Sequence, residues 1–324
     1  MQENEGAGFS GLKNEIILTA PSLGTMEGNF ASAFDLQIFE GWEGYSVENG
    51  VVTCDYIDDR YKEYLQYLNL LYKENILDKE IFAGDWSRLY EKIAEDKVGI
   101  VVCYSGFANI FKEMTTYGQE TGEHTYKFGP PLKGPSGSQF MMRREREAGD
   151  SAGITRECKD PVLAVMWLDY MYASPDSLET RYWGFEGISY TINEKGERER
   201  LMPEDGSSWN IAPLGCGQIP MPHQQTVEGF LRGFDDVQWY LDATEMLQPY
   251  FKSADIPHIT YSDEELEIVE QYNGDLETYR REMEAKFISG EESFDKWDNY
   301  IEFMKGLNVD ALVGVWQSIY DRTR

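Results

Sequence analysis

Apolar residues recur at three and four along several stretches of the chain, and these stretches define its helices. Tyr61, Tyr64, Leu65, Leu68, Leu71 and Tyr72 form one stripe, which predicts a long helix beginning near Asp58. The turn Glu48, Asn49, Gly50 precedes it, followed by a short strand from Val51 to Asp55. Trp86, Leu89, Tyr90 and Ile93 predict a second amphipathic helix, which runs into an apolar strand from Val98 to Cys103. Tyr104 and Phe107 follow at the end of that strand.

The middle of the chain changes character. Gly129 to Gly137 carries turn chemistry, and Arg143 to Glu147 is a charge run expected on a solvated surface. Ala152 to Thr155 reads as a short strand. Asp160 and Pro161 then open a helix, with the aspartate as cap and the proline in the first turn. Residues 162–171 are apolar nearly all round, so this helix is expected to be deeply buried. Residues 184–209 read as loop and hairpin, and helices are expected across 225–254. Ser262 to Glu265 is a capping box that opens a further helix. Three stripes close the chain: Leu276, Tyr279, Met283 and Phe287; Phe294, Trp297, Ile301 and Met304; Leu312, Val315, Trp316 and Ile319. Short strands among many helices give an α/β class. Residues 1–14 are polar and glycine-rich and read as a loose tail.

Composition narrows the function. At 41% apolar residues the 324-residue chain can build a core. Its net charge of -29 repels nucleic-acid phosphates and anionic lipid. Cys54, Cys103, Cys158 and Cys216 show no metal-ligand spacing, and Cys103 is expected as a small buried residue. No apolar stretch reaches the length of a membrane helix, and the acidic N-terminus lacks the pattern of a signal peptide; taken alone, that predicts a cytoplasmic chain. Gly6, Gly8 and Gly11 fit a dinucleotide fingerprint, but no buried strand precedes them. His124, His223 and His258 form no helical pair, so neither a metal site nor a histidine-dependent triad is expected. No cofactor and no catalytic residue is predicted.

What remains is aromatic side chains on loops. Trp183, Glu186 and Tyr190 sit among Gly184 and Gly187, and Tyr104, Phe107 and Trp209 also fall on loops or strand ends. Sugars present flat C–H faces and fixed hydroxyls; aromatic rings accept the first and carboxylates the second. These six residues are the candidate ligand-binding set.

Several segments, in order, resemble the large extracellular solute-binding lipoproteins of carbohydrate-type ABC importers. Residues 61–78 resemble that family's long helix ending in LYKEGLID, and Lys97 to Ile100 its GKVGM strand. Pro131 to Pro135 resembles its PLKGPDG turn, and residues 154–161 with Trp167 to Tyr170 its ITKxCKHPE…WLDY segment. Gly184 to Tyr190 resembles GxEGxxY, and Trp297 to Ile301 and Gln317 to Arg322 resemble the closing WDxYI and QxAYDR. Asn75 and Ser318 depart from the family pattern, which has glycine and alanine there. The resemblance spans about residues 45–322. It implies a periplasmic-binding-protein-like, two-lobed α/β fold of type II, here mostly the second lobe plus a fragment of the first. The implied organisation is a first-lobe tail over 1–30, the second lobe over 31–129, a return excursion to the first lobe over 130–180, and a helical second-lobe part over 181–324. The implied role is capture of a sugar or oligosaccharide for ABC permease subunits, on the extracellular face of the membrane, tethered by lipid in the family. The family's signal peptide, lipid-bearing cysteine and most of its first lobe have no counterpart here, so the chain is expected to be truncated. An acidic glycoside hydrolase or lyase, or a ligand-sensing module outside transport, are the alternatives.

Overall fold

The computed structural model describes residues 16–39, 42–104, 107–143, 153–174, 176–177, 180, 183–193, 196, 198–201, 237–256 and 260–323. The chain divides into two compact units, Met1–Glu145 with Leu241–Arg324, and Arg146–Tyr240.

In the first unit, β1 (Ile16–Thr19) and β6 (Val98–Val101) pair in parallel, with Leu18 opposite Ile100 and Thr19 opposite Val101. The stripe running into β6 behaves as predicted, except that the strand stops at Val101. Val102 still donates its N–H to the Thr19 carbonyl, but Cys103 is only half-buried, against the expectation of burial. Two antiparallel hairpins follow β1 in sequence: β2 (Ile38–Phe39) with β3 (Trp42–Glu43), and β4 (Tyr45–Glu48) with β5 (Val51–Cys54). The turn between β4 and β5 uses Asn49 and Gly50, both with positive φ (54° and 85°), a twist that suits a two-residue hairpin.

The helices carry the core. α1 (Leu23–Phe30) is capped by Ser22, whose hydroxyl accepts from the Thr25 N–H. α2 (Asp59–Lys73) starts where the sequence places it, with the Asp58 carboxylate accepting from the Arg60 N–H at 2.8 Å. α3 (Trp86–Ala94) leads into β6, and the short α4 (Ala108–Met114) and α5 (Thr116–Thr121) follow it. β7 (Met141–Arg143) is the last described strand of this unit before the chain enters the second.

Near the C-terminus, α8 (Asp263–Ser289) opens on the predicted capping box and ends at Gly290 in the left-handed region. α9 (Trp297–Gly306) and α10 (Val309–Arg322) complete the bundle. Tyr61, Tyr64, Leu65 and Leu68 of α2 are fully enclosed, together with Phe287, Tyr300, Met304 and Trp316 from these later helices. Asn69, buried on α2, donates its amide to the Phe287 and Ile288 carbonyls at 3.0 and 2.9 Å, which satisfies two acceptors at the end of α8.

The 225–254 stretch departs from the all-helical expectation. Residues 225–236 lie outside the described set. α7 (Val237–Leu247) is helical, but Pro249 lies in a 3-10 turn, and β10 (Phe251–Ser253) then pairs in parallel with β7. Proline there cannot continue the α-helical hydrogen bonds, and the strand is dictated by a partner more than one hundred residues earlier.

In the second unit, α6 (Pro161–Ala173) begins as predicted: the Asp160 carboxylate accepts from the Leu163 N–H at 3.0 Å, and Pro161 occupies the first turn. The deep burial that its apolar circumference calls for is not reached, in keeping with the expectation that a truncated chain lacks part of its cover. Val162, Leu163, Val165, Met166, Trp167 and Tyr170 are 54–68% exposed. A helix apolar on every side needs neighbours on every side, and the described residues leave these six side chains largely uncovered. The strand expected over 152–155 is also absent from its described part, 153–155. Thr155 instead accepts from the Cys158 N–H in a turn that leads to the helix cap. The predicted hairpin is present as β8 (Tyr190–Ile192) against β9 (Arg198–Arg200).

Candidate functional site

β1 and β6 run in the same direction, so their carboxyl ends share one edge, the edge at which open α/β sheets bind ligands. Aromatic side chains gather there. Trp86 stacks on Phe107, with ring centres 4.1 Å apart and planes 23° apart, and on Tyr104 at 6.1 Å and 22°. Tyr90 abuts Phe107 at 6.3 Å. Tyr104 is 45% exposed, while Trp86 and Phe107 are half-buried, so the stack is anchored at one side and open at the other.

Local chemistry explains each position. The Asp85 carboxylate accepts from the Arg88 N–H at 2.9 Å, which fixes the start of α3 and places Trp86 as its first residue. Gly84 lets the preceding loop press on the turn after β1; a Cβ there would lie 3.0 Å from the Pro21 carbonyl oxygen. Phe107 folds back beside Tyr104 because its N–H donates to the Tyr104 carbonyl at 3.1 Å. Beneath the stack, Leu89, Ile93, Val98 and Phe111 form a small core that holds α3, β6 and α4 together.

A polar clamp secures the same edge. The Asp78 carboxylate accepts from the Thr19 hydroxyl at the end of β1 and from the Lys92 ammonium of α3, each at 2.7 Å. Burial works to raise the Asp78 pKa, but the hydrogen bonds from Lys92, Thr19 and the Glu80 N–H outweigh it and hold the group below the usual carboxylate range. Burial pushes the Cys103 thiol up to about 12, so it stays protonated and is a poor nucleophile. Among the described residues, no cluster of three or more His, Cys, Asp or Glu side chains could hold a metal ion, and no helix is long and apolar enough to cross a membrane.

Of the six residues singled out from the sequence, Tyr104 and Phe107 meet in this stack. Trp183, Glu186 and Tyr190 come together separately, in the second unit. Trp183 is only 7% exposed; its ring meets the half-buried Tyr190 ring edge-on at 5.8 Å, and the Arg198 guanidinium lies over both rings. Gly184 and Gly187 do adopt positive φ (80° and 78°), and Glu186 is exposed between them. Trp209 lies outside the described residues. Trp86 and Tyr90, which the sequence pattern places on the stripe of a helix, join the same cluster. The available signal was the position of Trp86 directly after the capping Asp85, in a first turn that a core stripe need not cover.

No protein-family model matches the chain. It is 24% identical over 291 residues to the fructooligosaccharide ABC transporter substrate-binding protein FusA of Streptococcus pneumoniae serotype 4, covering 85% of this chain. The chain spans 51% of that protein's length. A solved structure of a FusA EF-hand mutant in complex with fructo-nystose superposes with a TM-score of 0.67 at 21% identity, over 95% of this chain and 63% of that one. A human-milk-oligosaccharide-binding solute-binding protein from Bifidobacterium longum infantis superposes with a TM-score of 0.65 at 14% identity, over 97% of this chain and 66% of that one. The chain therefore has the α/β fold of two-lobed solute-binding proteins, as the sequence resemblance implied.

Proposed function

We propose that this chain captures an oligosaccharide for an ABC importer and that the Trp86, Tyr104 and Phe107 stack is its main apolar contact with the sugar. The stack carries the reading. It offers clustered, partly exposed rings at the carboxyl ends of two parallel strands, and pyranose and furanose rings bind such surfaces through their C–H faces. The relatives support the substrate class, since they are described as binding fructooligosaccharides and milk oligosaccharides. As a contact set of its own, in the second unit, we propose Glu186 and Tyr190 for sugar hydroxyls, with Trp183 as the buried support of Tyr190, and Trp209 as an aromatic contact. The role is binding and not turnover: the ligand leaves unchanged, to ABC permease subunits. We place the protein on the extracellular face of the membrane. We also assign residues 130–180 to a return excursion to the first lobe, an assignment supported by the bare apolar surface of α6.

Titration of the purified chain with fructo- and milk-type oligosaccharides, followed by tryptophan fluorescence and calorimetry, tests this. One class is expected to bind, and Trp86→Ala to weaken it by about 1–3 kcal/mol, roughly 5- to 150-fold. Unchanged affinity in Trp86→Ala removes the stack from the site, and hydrolysis of the ligand by the pure protein overturns the binding role.

A further inference from the structure

Three acidic side chains surround one arginine inside the helical core, and the arginine cannot neutralise all of them. Arg280 and Glu284 on α8 are each 3% exposed, and Glu27 on α1 is 5% exposed. Arg280 spends Nε and Nη2 on Glu277 at the rim, both at 2.8 Å, and Glu277 also accepts from Arg281 at 2.6 Å. Only Nη1 points to the interior. It serves Glu284 at 3.0 Å, Glu27 at 3.4 Å and the Tyr61 hydroxyl oxygen at 3.2 Å. The guanidinium carbon lies over the Tyr56 ring, 4.2 Å from its centre. Glu284 Oε1 is buried with no hydrogen-bond partner among the described residues.

The groups that face Glu27 are therefore Tyr56 of the 3-10 turn before α2, Tyr61 and Tyr64 of α2, and Glu277, Arg280 and Glu284 of α8. They bring one cation and two further carboxylates. Two ionised carboxylates in so enclosed a space, sharing one guanidinium nitrogen with only the Tyr61 hydroxyl as a further donor to Glu27 at 3.5 Å, would leave a buried charge uncompensated, an arrangement that proteins avoid by protonation. A proton on Glu27 turns repulsion into a hydrogen bond and supplies the donor that Glu284 Oε1 lacks.

We propose that Glu27 keeps its proton at neutral pH and donates it to the Glu284 carboxylate, so that α1 is clasped to α8 by an acid–carboxylate pair around Arg280, and that loss of this proton loosens the clasp. Burial acts in the same direction, raising the Glu27 pKa well above the ordinary carboxylate range; the Glu284 charge adds to the rise, and Arg280 opposes it. The folded state thus holds a proton that the unfolded chain releases near pH 4.3, about the ordinary glutamate value. Stability from this group is fully present below that value and is lost as pH rises through the folded-state value.

Thermal unfolding of the full chain between about pH 6 and about pH 9 provides the test. The wild-type midpoint is expected to fall as pH rises. Glu27→Gln, which keeps a neutral hydrogen-bonding group, is expected to remove that slope and to match or exceed the wild type at the alkaline end. Parallel curves overturn the proposal. Glu284→Gln should flatten the slope in the same way if Glu27→Gln fails to fold. Infrared spectra of the wild type in heavy water at neutral pH decide independently of either variant: an un-ionised carboxylic acid band is expected, and its absence overturns the proton on Glu27.

Discussion

α2 and α6 are alike in length, start on well-formed aspartate caps and are rich in large apolar side chains, yet their fates are opposite. In α2 the apolar residues lie on one face, and Tyr61, Tyr64, Leu65 and Leu68 are completely enclosed by one set of neighbours. In α6 they circle the helix, and six of them stand mostly in solvent. Caps and backbone hydrogen bonds make a helix locally; only packing removes its side chains from water. A pattern apolar all round states what a helix requires, whereas the fold decides what it receives.

The sharpest way to break the comparison is to truncate matched leucines. Leu68→Ala in α2 is expected to cost about 2–5 kcal/mol, because the cavity has no route to collapse, while Leu163→Ala in α6 should stay within about 0.5 kcal/mol. Urea unfolding of both variants measures the difference. Comparable losses would mean that α6 is covered in solution.

Next in size is Gly134. The loop around it lies against the 3-10 turn after α1, where the Ser138 hydroxyl donates to the Ser32 carbonyl, and a Cβ on Gly134 would fall 1.5 Å from the Ala33 carbonyl oxygen. Gly134→Ala must displace backbone and is expected to cost about 1–3 kcal/mol, read from the urea midpoint. The well-packed unit containing α2 then has a second exacting contact of a kind α6 lacks; a neutral substitution would show the loop to be loosely held.

The smallest effect concerns the closing helix. Glu265 completes the capping box of α8 and also takes a two-pronged contact from Arg322 at the end of α10, at 2.5 and 2.9 Å. The Arg322 hydrogen bond lowers the Glu265 pKa to about 2, with burial opposing. A depressed carboxylate contributes stability above its unfolded value of about 4.3 and loses it as pH falls towards the folded value. Solvent screens this pair, so the effect is modest. Glu265→Gln should make the acid limb of the stability profile shallower between about pH 4 and about pH 2. An unchanged limb would show that the pair contributes nothing to holding α10.

The sequence makes the local decisions legible. The starts of α2, α6 and α8 follow from Asp58, Asp160 and the Ser262–Glu265 box, and the β4–β5 turn from Asn49 and Gly50. Non-local decisions are not written in any short window. β10 is a strand only because β7 lies beside it, the 153–155 stretch is not one because no described strand does, and α6 is bare because no described element covers its outer sides. The candidate site divides the same way. Tyr104 and Phe107 are placed by the end of an apolar strand. Trp86 reads as one more member of a helical stripe until the packing of α3 beside β6 brings its ring onto theirs.

The amide of Asn69 that closes the end of α8 has a consequence for biosynthesis. It reaches carbonyls more than two hundred positions later, the Phe287 contact spanning 218 residues. A ribosome adding about 5–20 residues per second needs roughly 10–45 s to supply them. Throughout that interval the stripe of α2 has emerged without the helix that will cover it, while the residues of the second unit are being made. The nascent chain therefore passes that whole interval with this apolar face open, and the order of translation makes α2 a natural station for a chaperone.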